Sequence, residues 1–161
     1  MCQVALPKYS TYVELLRARA DSSPDRLAYT FLADIPSSEQ QKLTYAELDR
    51  AARSIAGSLQ DLGLVNERAL LLYPPGLEYI AAFFGCLYAG VVPVPAYPLR
   101  ANRSVARLRS ILAEARPSAA FFTGRGGCSE PSTDAVAAEL SQLISLRVGD
   151  LVSSDPVRWR Q

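Results

Sequence analysis

The sequence predicts an α/β fold, a mainly parallel sheet with helices on both faces. Three observations carry this. Glu67 to Tyr73 (ERALLLY) is a nearly continuous apolar run of strand length, as expected for a strand covered on both faces. A stretch without one charged residue, 21 residues long, runs from Tyr79 to Leu99. Its first part has helical character and its second cannot, so the region reads strand, helix, strand, the βαβ unit of a parallel sheet.

The elements follow in order. Thr11 and Glu14 fit a capping box, so a helix is expected to about Ala20, ending before Ser22-Ser23-Pro24. Leu27 to Leu32 reads as a strand. The polar run Asp34 to Gln41 reads as a hairpin-like connection to a short strand around Lys42-Leu43. Thr44 and Glu47 form a second capping box, and Leu43 and Leu48 have the spacing of a hydrophobic staple. Leu48, Ala52, Ile55, Leu59 and Leu62 then step by three or four along one face of an amphipathic helix. Gly63 is a natural stop.

Leu77 to Ala89 is apolar all round apart from Glu78 in its first turn, the mark of a buried helix. Gly90 can end it. Pro93, Pro95 and Pro98 lack donors and cannot continue a helix. About 13 helical residues remain, against the roughly 20 needed to cross a hydrocarbon core, so no membrane span is expected. In an extended chain, residues two apart lack donors along the same side, so Pro93 and Pro95 place their strand at a sheet edge or strand end. A helix from about Arg103 to Ala115, a strand Ala119–Thr123, a Gly124–Gly127 loop, a helix Asp134–Leu143 and a short strand Leu146–Val148 complete the pattern. No periodicity is visible after Val152.

Composition excludes several classes. The chain has 161 residues, which suits one domain or part of one. Seventeen basic and sixteen acidic residues leave +1, so no general attraction to nucleic acid or anionic membranes is expected. There is no histidine, which removes Ser-His-Asp and Cys-His catalysis and histidine metal sites. Cys2, Cys86 and Cys128 form no CxxC or zinc pattern and read as reduced thiols, Cys86 as a small core residue. The start, MCQVALPKYS, has no long apolar segment, so a cytoplasmic location is expected.

Four features invite a functional reading. Gly124-Arg125-Gly126-Gly127 lacks both GxxxxGK[ST] and GxGxxG, and reads either as a phosphate loop or as a flexible connection. Pro74-Pro75-Gly76 sits at the carboxyl end of an expected parallel strand, where ligands often bind, or is a rigid turn aiming the next helix. Arg100, Arg103, Arg107 and Arg109 form either an anion contact or a solvated face with Glu114 for company. Asp49, Asp61, Glu67 and Glu78 are scattered and offer no carboxylate pair for general acid/base work.

Taken together the motifs resemble the N-terminal part of the acyl-adenylate-forming (AMP-binding) superfamily, and within it the fatty acyl-AMP ligases. Leu43-Thr44-Tyr45-Ala46-Glu47-Leu48 resembles the first core motif of that superfamily. Leu87-Tyr88-Ala89-Gly90-Val91-Val92-Pro93-Val94-Pro95 resembles the second. Leu72-Tyr73-Pro74-Pro75-Gly76-Leu77, Phe83-Phe84-Gly85-Cys86, Ala96-Tyr97-Pro98 and Arg103…Arg107-Leu108…Ile111…Arg116-Pro117 are similar to the fatty acyl-AMP ligase pattern. The resemblance is strongest over residues 11–123. It implies a partial N-terminal domain over residues 1–161, ending before the lysine-bearing phosphate loop, with Trp159-Arg160-Gln161 similar to the segment just before it.

By the same resemblance, full-length relatives join a fatty acid to AMP with ATP and magnesium and pass the acyl group to an acyl carrier protein. Both motifs present are helix-start and helix-to-strand devices. No catalytic, cofactor-binding or metal-binding residue is therefore carried over, no cofactor is assigned to this chain itself, and inactivity alone is expected. The expected partner is the remainder of the enzyme, with apolar surface near Leu77–Ala89 or the proline strand left uncovered and prone to association. Two alternatives stand beside this reading: a non-catalytic remnant or interaction module of the same fold, and part of a nonribosomal peptide adenylation domain.

Overall fold

The computed structural model describes residues 9–32, 40–97, 105–122 and 139–152. Helix α1 (Tyr12–Ser22) is followed by strands β1 (Leu27–Phe31) and β2 (Gln41–Thr44), which pair antiparallel in their own small sheet. Helix α2 (Tyr45–Asp61), strand β3 (Arg68–Leu72), helix α3 (Leu77–Ala89) and strand β4 (Val92–Pro95) come next. Helix α4 (Val105–Ala115), strands β5 (Ala119–Phe122) and β6 (Ile144–Leu146) and the short helix α5 (Val148–Val152) complete the described chain. The main sheet is parallel throughout, in the order β4-β3-β5-β6.

The expected capping devices form, with one difference. At α2 the Thr44 Oγ1 accepts from the Glu47 N–H at 3.3 Å, and the Glu47 carboxylate accepts from the Thr44 N–H at 2.8 Å, closing the box. At α1 the Thr11 hydroxyl accepts from the Glu14 N–H at 3.1 Å, but the Glu14 carboxylate accepts from Ser10, one residue before the cap. Gly63 and Gly90 take positive φ (71° and 72°) where their helices end, as the glycine stops require.

Alternation along the central strands divides the core between the two faces. Ala69, Leu71, Tyr73, Ala119 and Phe121 join α1, α2, α3 and α5 on one face. Leu70, Leu72, Ala120 and Phe122 join Leu108 and Leu112 of α4 on the other. The Arg68 side chain donates to the carbonyls of Ala115 and Arg116 at 3.0 and 2.8 Å, tying the end of α4 to the start of β3.

Strand β4 is a sheet edge, as its prolines predict. Val92 and Ala96 donate to Glu67 and Leu71 of the neighbouring chain segment at 2.8 and 3.0 Å. Pro93 and Pro95 alternate with those donors, so their missing N–H groups fall on the free side. That edge offers few donors to another strand.

Several expectations change. Helix α3 is not buried all round: Ala81, Ala82, Gly85, Cys86, Tyr88 and Ala89 are buried, while Tyr79, Ile80, Phe83 and Phe84 pack against the core half-buried. Its broadest contact is with α2, with smaller ones to α1, β1, β2, the main sheet and α5, which leave these four side chains partly covered. The last strand lies at Ile144–Leu146 rather than Leu146–Val148, and Val148 starts α5. That helix is held by the Ser54 hydroxyl, which donates to the Leu151 carbonyl at 2.7 Å. Of the Asp134–Leu143 helix, residues 139–141 are helical, Gln142 and Leu143 form a turn instead, and residues 134–138 lie outside the described residues. Among the described residues no helix is long and apolar enough to cross a membrane.

Candidate functional site

The two helices that follow β3 and β4 leave the sheet in opposite directions. Helix α3 packs on one face with Tyr73 and Phe121, and α4 packs on the other with Leu70 and Phe122. Adjacent parallel strands whose connections part in this way open a crevice at their carboxyl ends, the usual ligand position in open α/β sheets.

A pocket of about 690 Å³ lies there. Its floor is the turn Tyr73-Pro74-Pro75-Gly76 leaving β3, with Leu77, Tyr79 and Ile80 from the first turns of α3. Pro95 at the end of β4, Ala96 and Tyr97 after it, Ile111 and Arg107 of α4, and Tyr29, Thr30 and Phe31 of β1 complete the walls. The size falls within the roughly 300–1,000 Å³ typical of small-molecule sites. The lining is mostly apolar, and Arg107 is its one charged residue among the described residues.

Each wall has a local cause. The two prolines stiffen the turn, and Gly76 provides the N-cap of α3 without a side-chain cap bond. A Cβ added at Gly76 would meet nothing within 4 Å, so the absent side chain leaves space open. The Tyr73 ring packs near Phe121 at a centroid distance of 6.4 Å, and its hydroxyl accepts from the Val148 N–H at 3.3 Å. Burial pushes the Tyr73 phenol well above its ordinary range, so it stays protonated at neutral pH. The Arg107 guanidinium lies 6.0 Å from the centre of the Tyr97 ring, within cation–π range.

The sequence-based candidates separate here. Pro74-Pro75-Gly76 is both the turn that aims α3 and a pocket wall. Arg107 lines the pocket and Arg109 does not, and both are exposed. Neither makes an ion pair with Glu114 among the described residues. Arg100, Arg103 and Gly124–Gly127 lie outside the described residues. The scattered carboxylates serve packing: Asp49 accepts from Tyr88, and Glu67 accepts from Ser118, each at 2.7 Å. Tyr29, Thr30 and Phe31 were not anticipated as pocket residues. Their strand is distant in sequence from β3, and only the tertiary fold brings them together.

Among the described residues no group of three or more Cys, Asp or Glu side chains could hold a metal ion. The described donor set does not suit magnesium, and no step through it is derived from these residues.

The chain matches the family model described as AMP-binding enzyme over residues 16–161. It is 50% identical over 115 residues to the medium-chain-fatty-acid acyl-carrier-protein ligase JamA of Moorena producens, covering 70% of this chain and 19% of JamA. It is 34% identical over 124 residues to the long-chain-fatty-acid AMP ligase FadD32 of Mycolicibacterium smegmatis, covering 75% of this chain and 20% of FadD32. Its fold superposes on the fatty acyl-adenylate ligase from Legionella pneumophila, solved with acyl adenylate and pyrophosphate. There the TM-score is 0.71 and the identity 29%, over 92% of this chain and 25% of that one. The chain thus spans about a fifth of the length of the two curated ligases.

Proposed function

From a chain that belongs to the AMP-binding enzyme family, we propose a role as the N-terminal part of a fatty acyl-AMP ligase, its pocket receiving apolar substrate. The observation that carries this reading is the apolar pocket at the carboxyl ends of β3 and β4. The likeness to JamA and FadD32 supports it, since both are named as fatty-acid ligases. A fatty acid, an acyl carrier protein and the remainder of the enzyme are the proposed partners.

In this reading a fatty-acid carboxylate oxygen attacks the α-phosphorus of ATP. The bond from that phosphorus to the bridging oxygen breaks, pyrophosphate leaves, and acyl-AMP forms. A carrier thiol then attacks the acyl carbonyl and AMP departs. The described residues supply no metal site and no site for the phosphates of ATP, so these steps fall to groups elsewhere in the enzyme. The share of the pocket's apolar walls is geometric. Tyr79, Ile80, Pro95 and Ile111 exclude water from the substrate chain, and the stiff Pro74-Pro75 turn fixes the wall position.

The test is fatty-acid-dependent ATP–pyrophosphate exchange by the complete enzyme carrying this region. Exchange with fatty acids and not with amino acids supports the ligase reading and rejects the amino-acid adenylation alternative. Pocket substitutions that leave exchange untouched would separate the pocket from the substrate path.

A further inference from the structure

We infer that Arg107, held over the Tyr97 ring, is the binding residue for an oxyanion carried on a slim chain in this pocket; the inference rests on the ligase reading above. The pocket walls are mostly apolar, and the one charge that the described lining presents is the Arg107 guanidinium. Among the described residues no carboxylate lines the pocket with it, and Arg107 forms no ion pair. Its described contact is the face of Tyr97, at 6.0 Å from the ring centre. Both side chains are exposed at the pocket rim, and a cation–π contact does not use up the five guanidinium N–H donors, so donors remain for an acceptor. A guanidinium edge next to apolar walls selects a carboxylate or phosphate attached to an uncharged chain.

Two sources share that chemistry. One is the carboxylate of a fatty acid. The other is the phosphate of a phosphopantetheine arm. Both would place the anion at Arg107 and the uncharged chain along Ile111, Pro95 and Ile80.

The experiment is calorimetric titration of the complete enzyme with two matched probe pairs: decanoate against 1-decanol, and pantetheine 4′-phosphate against pantetheine. Wild-type protein is expected to prefer the anionic member of one pair. In Arg107→Met, which keeps an apolar stem, that preference is expected to fall about tenfold or more, with the uncharged member unchanged. Arg107→Lys should retain part of it, because the point charge stays while the fork is lost. Tyr97→Leu should weaken it by about two- to fivefold. Loss in the first pair assigns the carboxylate, and loss in the second assigns the phosphate. An undiminished preference in Arg107→Met, with its thermal midpoint unchanged, overturns the inference, and so does a wild-type protein that prefers neither anion. If anion preference depends on Arg107 but no fatty acid supports ATP–pyrophosphate exchange, the ligase reading fails and the anion contact stands.

Discussion

Gly85 of α3 lies directly against Ile55 of α2, and no side chain fits between them. A Cβ built on Gly85 would stand 2.6 Å from the Ile55 Cβ, inside any real contact distance, and Ile55 is fully buried. The missing side chain lets α3 sit close on α2, which sets the position of the pocket wall that α3 carries. Gly85→Ala is expected to destabilise the protein by about 1–3 kcal/mol, by forcing the helices apart. In a double-mutant cycle with Ile55→Ala the two costs should not add. Simple additivity in chemical unfolding would show that the helices do not press on each other here.

The same helix pair carries a buried polar contact. Tyr88 donates to Asp49 Oδ1 at 2.7 Å, and Arg53 Nε lies 2.7 Å from Asp49 Oδ2 as a charge contact rather than an aligned hydrogen bond. Tyr88→Phe leaves Asp49 with its arginine and should cost about 1–2 kcal/mol. Asp49→Ala removes both contacts at once and should cost more, about 2–4 kcal/mol. Unfolding midpoints check the order. An equal or reversed order would mean that the carboxylate is not the hub.

The Thr44–Glu47 box, the αL stop at Gly90 and the edge position of the proline strand were all legible, because each is set by neighbours within a few residues. The strand–helix–strand unit was legible too, since the apolar run at Glu67–Tyr73 and the prolines leave few other solutions. The pocket was half legible. Pro74-Pro75-Gly76 marks the end of a parallel strand, but Tyr29 and Arg107 reach it only through packing across two sheets and both faces. The half-buried side chains of α3 were not legible, because a mostly apolar helix pattern does not reveal how fully each side is covered. Helix α5 was missed because five residues are too few to show a period.

The pH response should bear on both arms. Burial pushes the Cys86 thiol up to about 12, and the Tyr73 and Tyr88 phenols are raised for the same first reason. The unfolded chain loses these protons first, so their stabilising effect is whole below about pH 9 and declines as pH rises toward 12. Cys86→Ala should flatten the lower part of that decline in a pH series of unfolding midpoints. On the acid side, the Thr44 backbone donor holds the Glu47 carboxyl below its ordinary 4.5. Its contribution is present above that pH and lost as pH falls through the folded value. Glu47→Gln should soften the acid slope, and an unchanged slope would count against the capping role.

Bulk at Gly76 should change which substrates fit. The position lines the pocket, has extended backbone (φ 166°) and meets nothing within 4 Å of an added Cβ. Gly76→Leu should cost only about 0.5–1 kcal/mol, through a poorer N-cap. It should raise KM for long fatty acids more than for short ones. A uniform fall in kcat across chain lengths, with KM unmoved, would place the acyl chain elsewhere.

The most direct measurement is ATP–pyrophosphate exchange by the complete enzyme carrying this region, run across fatty acids of increasing length with amino acids as the comparison. Exchange that depends on a fatty acid, with acyl-AMP identified by mass and its chain-length profile shifted by Gly76→Leu, is the expected result. Absence of exchange with every fatty acid, in folded enzyme with ATP and magnesium supplied, would contradict the ligase reading.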